Sequence, residues 1–166
     1  YSLPKFGVTL QADARYLAVA AGQAKPEIAF AKSLDIREPQ VTLLDVLFTT
    51  QARKRFSDLE FSGTTVEEDI FGYLGKPDSG TFDVVSVFGM DNILTTIKKN
   101  EELIVALSGK MNPNGVVFLG PAGVDVDISQ IWENHGFISL TKPSDHWPRS
   151  YTMLFRPTDI RADDQQ

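Results

Sequence analysis

No cysteine occurs among the 166 residues, which excludes disulfides, thiolate metal sites and a cysteine nucleophile together. No HExxH, GxSxG, phosphate-loop or calcium-loop pattern is present either, so the motifs that would name a hydrolase, a nucleotide triphosphatase or a metalloenzyme are missing. No apolar run approaches the ~20 residues that a membrane-spanning helix needs, and no basic-then-apolar leader opens the chain. Excess positive charge is lacking too. A net charge of -6 and an isoelectric point near 4.9 argue against a broad phosphate-binding surface, although Arg53, Lys54 and Arg55 form a local basic run. The expectation is a soluble domain, with an intracellular setting favoured, no membrane contact, and nucleic acid disfavoured as a partner. The chain opens on Tyr1 rather than methionine and closes on "RADDQQ", as a domain belonging to a longer protein would.

What is present is enough apolar residue, 42% of the chain, to bury one ordinary core. Residues 1–14 read as a lead, residues 15–157 as one α/β domain, and residues 158–166 as a polar tail. Within the domain, short β-rich runs alternate with helix-like stretches, the pattern of a parallel sheet covered by helices on its faces. "RYLAVA" is the first strand, and a helix follows from Pro26, with Ile28, Ala31 and Leu34 as its apolar face. "QVTLLDV" is the second strand, followed by the polar "TTQARKRF"; "LEFSG" is the expected third strand. In "TTVEEDIFGYLG", Thr65 and Glu68 have capping-box spacing, which predicts a helix. "FDVVSVFGM" has the near-continuous apolar character of a central strand. "NEELIVALSGKM" reads as a helix closed by "NPNG", "VVFLG" as the fifth strand ended by Pro121 and Gly123, and "DISQIWENHG" as a helix between Asp127 and Gly136. "FISL" and "YTMLFRP" form a terminal hairpin around the long loop "TKPSDHWPRS".

Strand, glycine turn and helix, an acid ending the next strand, "FDVV", a helix, "NPNGVVFLG" and a closing hairpin: this order resembles the class I S-adenosylmethionine-dependent methyltransferases across residues 15–157. The resemblance implies a three-layer α/β sandwich with a mainly parallel seven-stranded sheet and an antiparallel C-terminal strand. It also implies a cofactor site. An acid in the first strand and two or three glycines after it would fall on Ala18, Ala20, Gly22 and Ala24, so only Gly22 matches. Alanine pays a steric penalty wherever such a turn needs positive φ, and elsewhere its methyl takes space beside the ligand. Asp45 matches the acid that accepts the ribose hydroxyls, and it also reads as a strand-end or capping aspartate. For the acid near the adenine, aligning on "FSGTT" puts Thr64 in its place and aligning on "EEDIF" puts Asp69 there; the first alignment is preferred. Gly22, Asp45 and Asp69 are therefore the cofactor-site candidates.

Other candidates carry less. His135 precedes Gly136 at a helix end, where a histidine meets terminal carbonyls. Asp125 and Asp127 read as caps rather than a metal pair, and Glu67, Glu68 and Asp69 as a solvated first turn. No metal site is expected and no catalytic residue is assigned. "SDHWPRSY" gathers His146, Trp147, Arg149 and Tyr151, types suited to a protein interface, to substrate contact, or to packing of the loop on its own tryptophan. These readings lead to a methyltransferase-like domain with a decayed cofactor site, binding S-adenosylmethionine weakly or not at all, and serving as an interaction module for a protein partner or the rest of its parent chain. The rivals are an active S-adenosylmethionine-dependent methyltransferase of unknown acceptor and, more remotely, a nicotinamide-dinucleotide-binding domain, which Asp45 would serve as well. The single glycine and the terminal hairpin count against the latter.

Overall fold

The computed structural model describes residues 8–88, 90, 94–120, 128–139 and 153–157. Seven strands form one sheet in the order β3-β2-β1-β4-β5-β7-β6. The first, β1 (Tyr16–Val19), is buried at every position and is flanked by parallel partners, β2 (Val41–Asp45) and β4 (Phe82–Val87). That double coverage is why its residues are apolar without alternation. β3 (Thr64–Glu67) pairs parallel with β2 at one edge, and β5 (Met111–Leu119) pairs parallel with β4. β7 (Met153–Pro157) lies antiparallel between β5 and β6 (Phe137–Ser139), so the terminal hairpin closes the other edge. Val84, Val85 and Val87 are at most 1% exposed, as a central strand requires.

Two cores lie on opposite faces of the sheet, because successive strand residues point to opposite sides. Tyr16, Ala18, Leu43, Val84 and Phe118 pack beneath α1 (Lys25–Ser33) and α2 (Thr50–Asp58), meeting Ile28, Ala31 and Ala52. Leu17, Val19, Val85, Val87 and Val117 pack on the other side against α3 (Ile70–Leu74), α4 (Ile97–Ser108) and α5 (Ile128–Asn134), meeting Ile70, Leu103, Leu107 and Trp132. The result is the three-layer sandwich. In α4 the buried residues Asn100, Leu103, Ile104 and Leu107 recur at helical spacing, and Thr96 caps the helix by accepting from the Lys99 N–H at 3.1 Å.

Three local expectations are corrected. The third strand is "TTVE", not "LEFSG": the β-branched run Thr64, Thr65 and Val66 pairs with Thr42, Leu43 and Leu44, while Leu59 ends α2 and Phe61 folds back on Phe56 with ring centroids 5.7 Å apart. Thr65 therefore lies in a strand rather than at a capping box. The helix that follows is shorter, and Asp69 caps it by accepting from the Gly72 N–H at 3.1 Å. Last, "NPNG" belongs to β5 rather than to a turn before it. The β4–β5 register shifts between Phe82 and Val84, which accommodates Pro113, and Gly115 lies 2.9 Å from the Asn112 carbonyl oxygen at its would-be Cβ, leaving no room for a side chain.

Candidate functional site

The turn between β1 and α1 is held in an alternating conformation, with Ala20, Gly22 and Ala24 all at positive φ, 57°, 48° and 64°. Glycine adopts this region freely, whereas an L-residue pays ~1–2 kcal/mol for it. The surrounding bonds maintain it. Ala21 N–H donates to the Leu44 carbonyl at 3.1 Å, Ala24 N–H to the Ala21 carbonyl at 2.6 Å, and Gly22 N–H to Asp45 Oδ2 at 2.7 Å. Arg55 of α2 adds a bond to the Gln23 carbonyl. Asp45 is thus tied to the turn through one oxygen, and its other oxygen accepts weakly from Leu47 N–H at 3.3 Å.

Beside this turn, at the carboxyl ends of β1, β2 and β3, lies a small cleft. Its acids are Asp45, Glu68 and Asp69, and its apolar wall comes from Ala20, Val46, Ile70, Phe71 and Met90. β2 and β3 bring the acids together: Glu68 N–H donates to the Asp45 carbonyl at 2.9 Å, continuing the ladder past Glu67. Glu68 also accepts from Lys76 Nζ at 2.7 Å, and Glu67 is paired with Arg53. Thr64 stands at the opposite, amino end of β3. The alignment that put Thr64 in the acid's place is corrected on this geometry: the acids that follow β3 at the cleft are Glu68 and Asp69. The cleft is partly open to solvent and its volume is about 60 Å³, against roughly 300 Å³ or more for clefts that bury a drug-sized ligand. Ala20 lines it, so its methyl fills volume that glycine would leave open.

No family model matches the sequence, and no curated protein matches it. Solved structures match by shape. An S-adenosylmethionine-dependent methyltransferase from Clostridium acetobutylicum is similar with a TM-score of 0.70 at 10% identity, over 93% of this chain and 87% of that one. The 1,6-didemethyltoxoflavin-N1-methyltransferase of Burkholderia thailandensis, solved with 1,6-didemethyltoxoflavin and S-adenosylhomocysteine bound, is similar with a TM-score of 0.66 at 15% identity, over 94% of this chain and 74% of that one. A TehB-like methyltransferase from Corynebacterium glutamicum gives 0.63 at 14%, over 90% and 83%. The fold is that of the class I methyltransferases.

Ala18, the position at which the resemblance expects a first-strand acid, is fully buried. One carboxyl is buried in the helix that follows. Glu27 of α1 is 5% exposed, and its Oε2 has no hydrogen-bond partner. Burial pushes its pKa up to about 7, and the nearby charge of Asp45 adds to the rise. The neighbouring Tyr16 hydroxyl shares a 2.5 Å hydrogen bond with Ser86 Oγ, and burial holds its pKa well above the usual phenol value. Sequence reasoning passed over Glu27. The signal was its spacing: Ala24, Glu27, Ile28 and Ala31 fall on one helical face, and all are buried.

Among the described residues, His135 is not part of the cleft's lining. His135 ends α5, 4.0 Å from Glu101 on α4, consistent with a helix-end role. Among the described residues no group of three metal-ligating side chains occurs. His146, Trp147, Arg149 and Tyr151 lie outside the described residues, as do Asp125, Asp127, Pro121 and Gly123. The cleft thus combines three acids with an apolar wall to which the Ala20 methyl belongs.

Proposed function

We propose that this domain is a methyltransferase-like module that holds S-adenosylmethionine weakly or not at all and acts by binding a protein partner or the remainder of its parent chain. The observation that supports the reading is the first turn. Ala20 and Ala24 occupy left-handed backbone, Ala20 narrows the cleft, and Asp45 is engaged by Gly22 rather than presented with both oxygens free. A cofactor that must approach this backbone closely meets a methyl group and a bonded carboxylate. Calorimetric titration with S-adenosylmethionine and S-adenosylhomocysteine tests the reading: a dissociation constant weaker than ~1 mM is expected, equivalent to about 4 kcal/mol.

A second reading, an active methyltransferase of unknown acceptor, is favoured by one observation, the meeting of Asp45 and Asp69 at a single cleft with an apolar wall. A micromolar isotherm abolished by Asp45→Ala would establish it. The antiparallel placement of β7 between β5 and β6 weighs against the dinucleotide-binding alternative.

A further inference from the structure

A second hollow, unrelated to the cofactor cleft, runs between α1 and α2 on the outer surface of the sandwich. Lys25, Ile28, Ala29 and Lys32 have the i, i+3, i+4, i+7 spacing of one helical face, and Arg55 and Leu59 face them from α2. The hollow measures about 300 Å³. It adjoins a second one of about 180 Å³ that shares Ile28 and Lys32 and is lined further by Ile36, Val41 and Phe61. Leu59 is 58% exposed, a large apolar side chain left in solvent at the groove's margin.

The charge here runs opposite to that of the molecule. The chain carries -6 overall, yet the 300 Å³ hollow is lined by three cations and no carboxylate. Among the described residues Lys25, Lys32 and Arg55 form no salt bridge, whereas Arg53, Lys76 and Lys99 each have a carboxylate partner. Among the described residues the Arg55 guanidinium hydrogen-bonds the Gln23 carbonyl. The acid of the adjoining hollow, Glu38, is engaged by the Ser62 N–H at 2.8 Å. An apolar floor between unpaired cations is complementary to a short segment that places an apolar side chain between carboxylates. A long polyanion is a poorer fit, because the net charge repels whatever extends past the groove.

We propose that the α1–α2 groove docks an acidic segment of a partner protein, with its apolar residue seated on Ile28, Ala29 and Leu59 and its carboxylates on Lys25, Lys32 and Arg55. This deepens the interaction-module reading and rests on it. The test uses random dodecapeptides displayed on phage and selected on the whole immobilised domain; an enriched peptide is then synthesised with a fluorophore for anisotropy. The expected outcome is enrichment of sequences with two or more Asp or Glu around an apolar residue. Affinity should fall about tenfold or more for the Lys25→Glu/Lys32→Glu variant, whose two exposed lysines can be reversed with the fold kept, as circular dichroism would verify. An Arg55→Gln variant should weaken binding as well. No enrichment, enrichment without acidic residues, or binding unchanged in the double variant would overturn the proposal, as would equal or better binding of phosphatidylserine vesicles or a single-stranded oligonucleotide. A micromolar S-adenosylmethionine isotherm with peptide binding intact would remove the module reading and leave the groove standing. Lost peptide binding with no isotherm would do the reverse.

Discussion

Glu27→Gln should make the domain more stable at alkaline pH while leaving it nearly unchanged at pH 4 and below. In the folded domain Glu27 is buried, one of its oxygens has no partner, and its pKa rises from 4.5 to about 7. Once unfolded, the side chain titrates near its ordinary value. Below pH ~4.5 both states are protonated and the burial costs nothing in charge. Between that pH and ~7 the unfolded chain releases its proton and the folded one retains it, so the folded state binds more protons and stability falls as pH rises. Above ~7 the loss is complete. Its size follows from the shift and amounts to about 3 kcal/mol at most. Glutamine keeps the shape without the ionisation. Urea denaturation followed by tryptophan fluorescence at pH 4 and pH 8.5 should give nearly equal midpoints for the two proteins at the lower pH, and a clear advantage for Glu27→Gln at the higher. A difference independent of pH would show that Glu27 does not titrate in the folded interior, and the account of the buried carboxyl beneath the turn would fail.

Ala20→Gly should stabilise the domain by about 0.5–1 kcal/mol, the relief of a left-handed alanine less the entropy that glycine adds to the unfolded chain, measured by thermal or urea denaturation. The same change opens the cleft, so it should also tighten S-adenosylhomocysteine binding in calorimetry; a destabilised variant with no gain in binding would contradict the assigned strain. Asp45→Ala should cost about 1–2 kcal/mol, because Gly22 N–H loses its 2.7 Å carboxylate partner. Removing that charge should also move the Glu27 midpoint down, visible as a shift in the pH dependence of stability.

Much of the fold was legible because its signals are local and repeated. "FDVVSVFGM" carries no polar alternation, and β4 indeed lies between β1 and β5 with both faces covered. The antiparallel end was legible from the hairpin pattern. The errors fell where two elements meet with few residues between them. A sequence such as "LEFSGTTVEEDIF" holds a strand, a cap and a helix start within thirteen letters, and capping-box spacing at Thr65 competed with β-branched propensity over the same residues. Pairing with β2 decided the matter, and pairing is a tertiary fact. With the strand at Thr64–Glu67 instead of "LEFSG", its carboxyl end leads to Asp69 at the cleft while Thr64 lies at its amino end. The same limit applies to the turn. The alanines at positions 20 and 24 are visible in sequence, but the bond from Gly22 to Asp45 and the burial of Glu27 arise only when β2 and α1 are in place. The basic groove was half visible: Arg53, Lys54 and Arg55 stand out as a run, yet Arg53 is paired with Glu67 and the groove takes its other cations from α1.

The backbone amide of Gly22 reports directly on the central claim, because its N–H joins the first turn to Asp45. Heteronuclear NMR of the isotopically labelled domain, titrated with S-adenosylhomocysteine to ~1 mM, should leave the Gly22, Asp45 and Asp69 amides without a saturating shift, the weak-binding limit expected of a narrow cleft. Saturable movement of those three resonances at micromolar ligand would show that the cleft opens to a nucleoside, and would contradict the account.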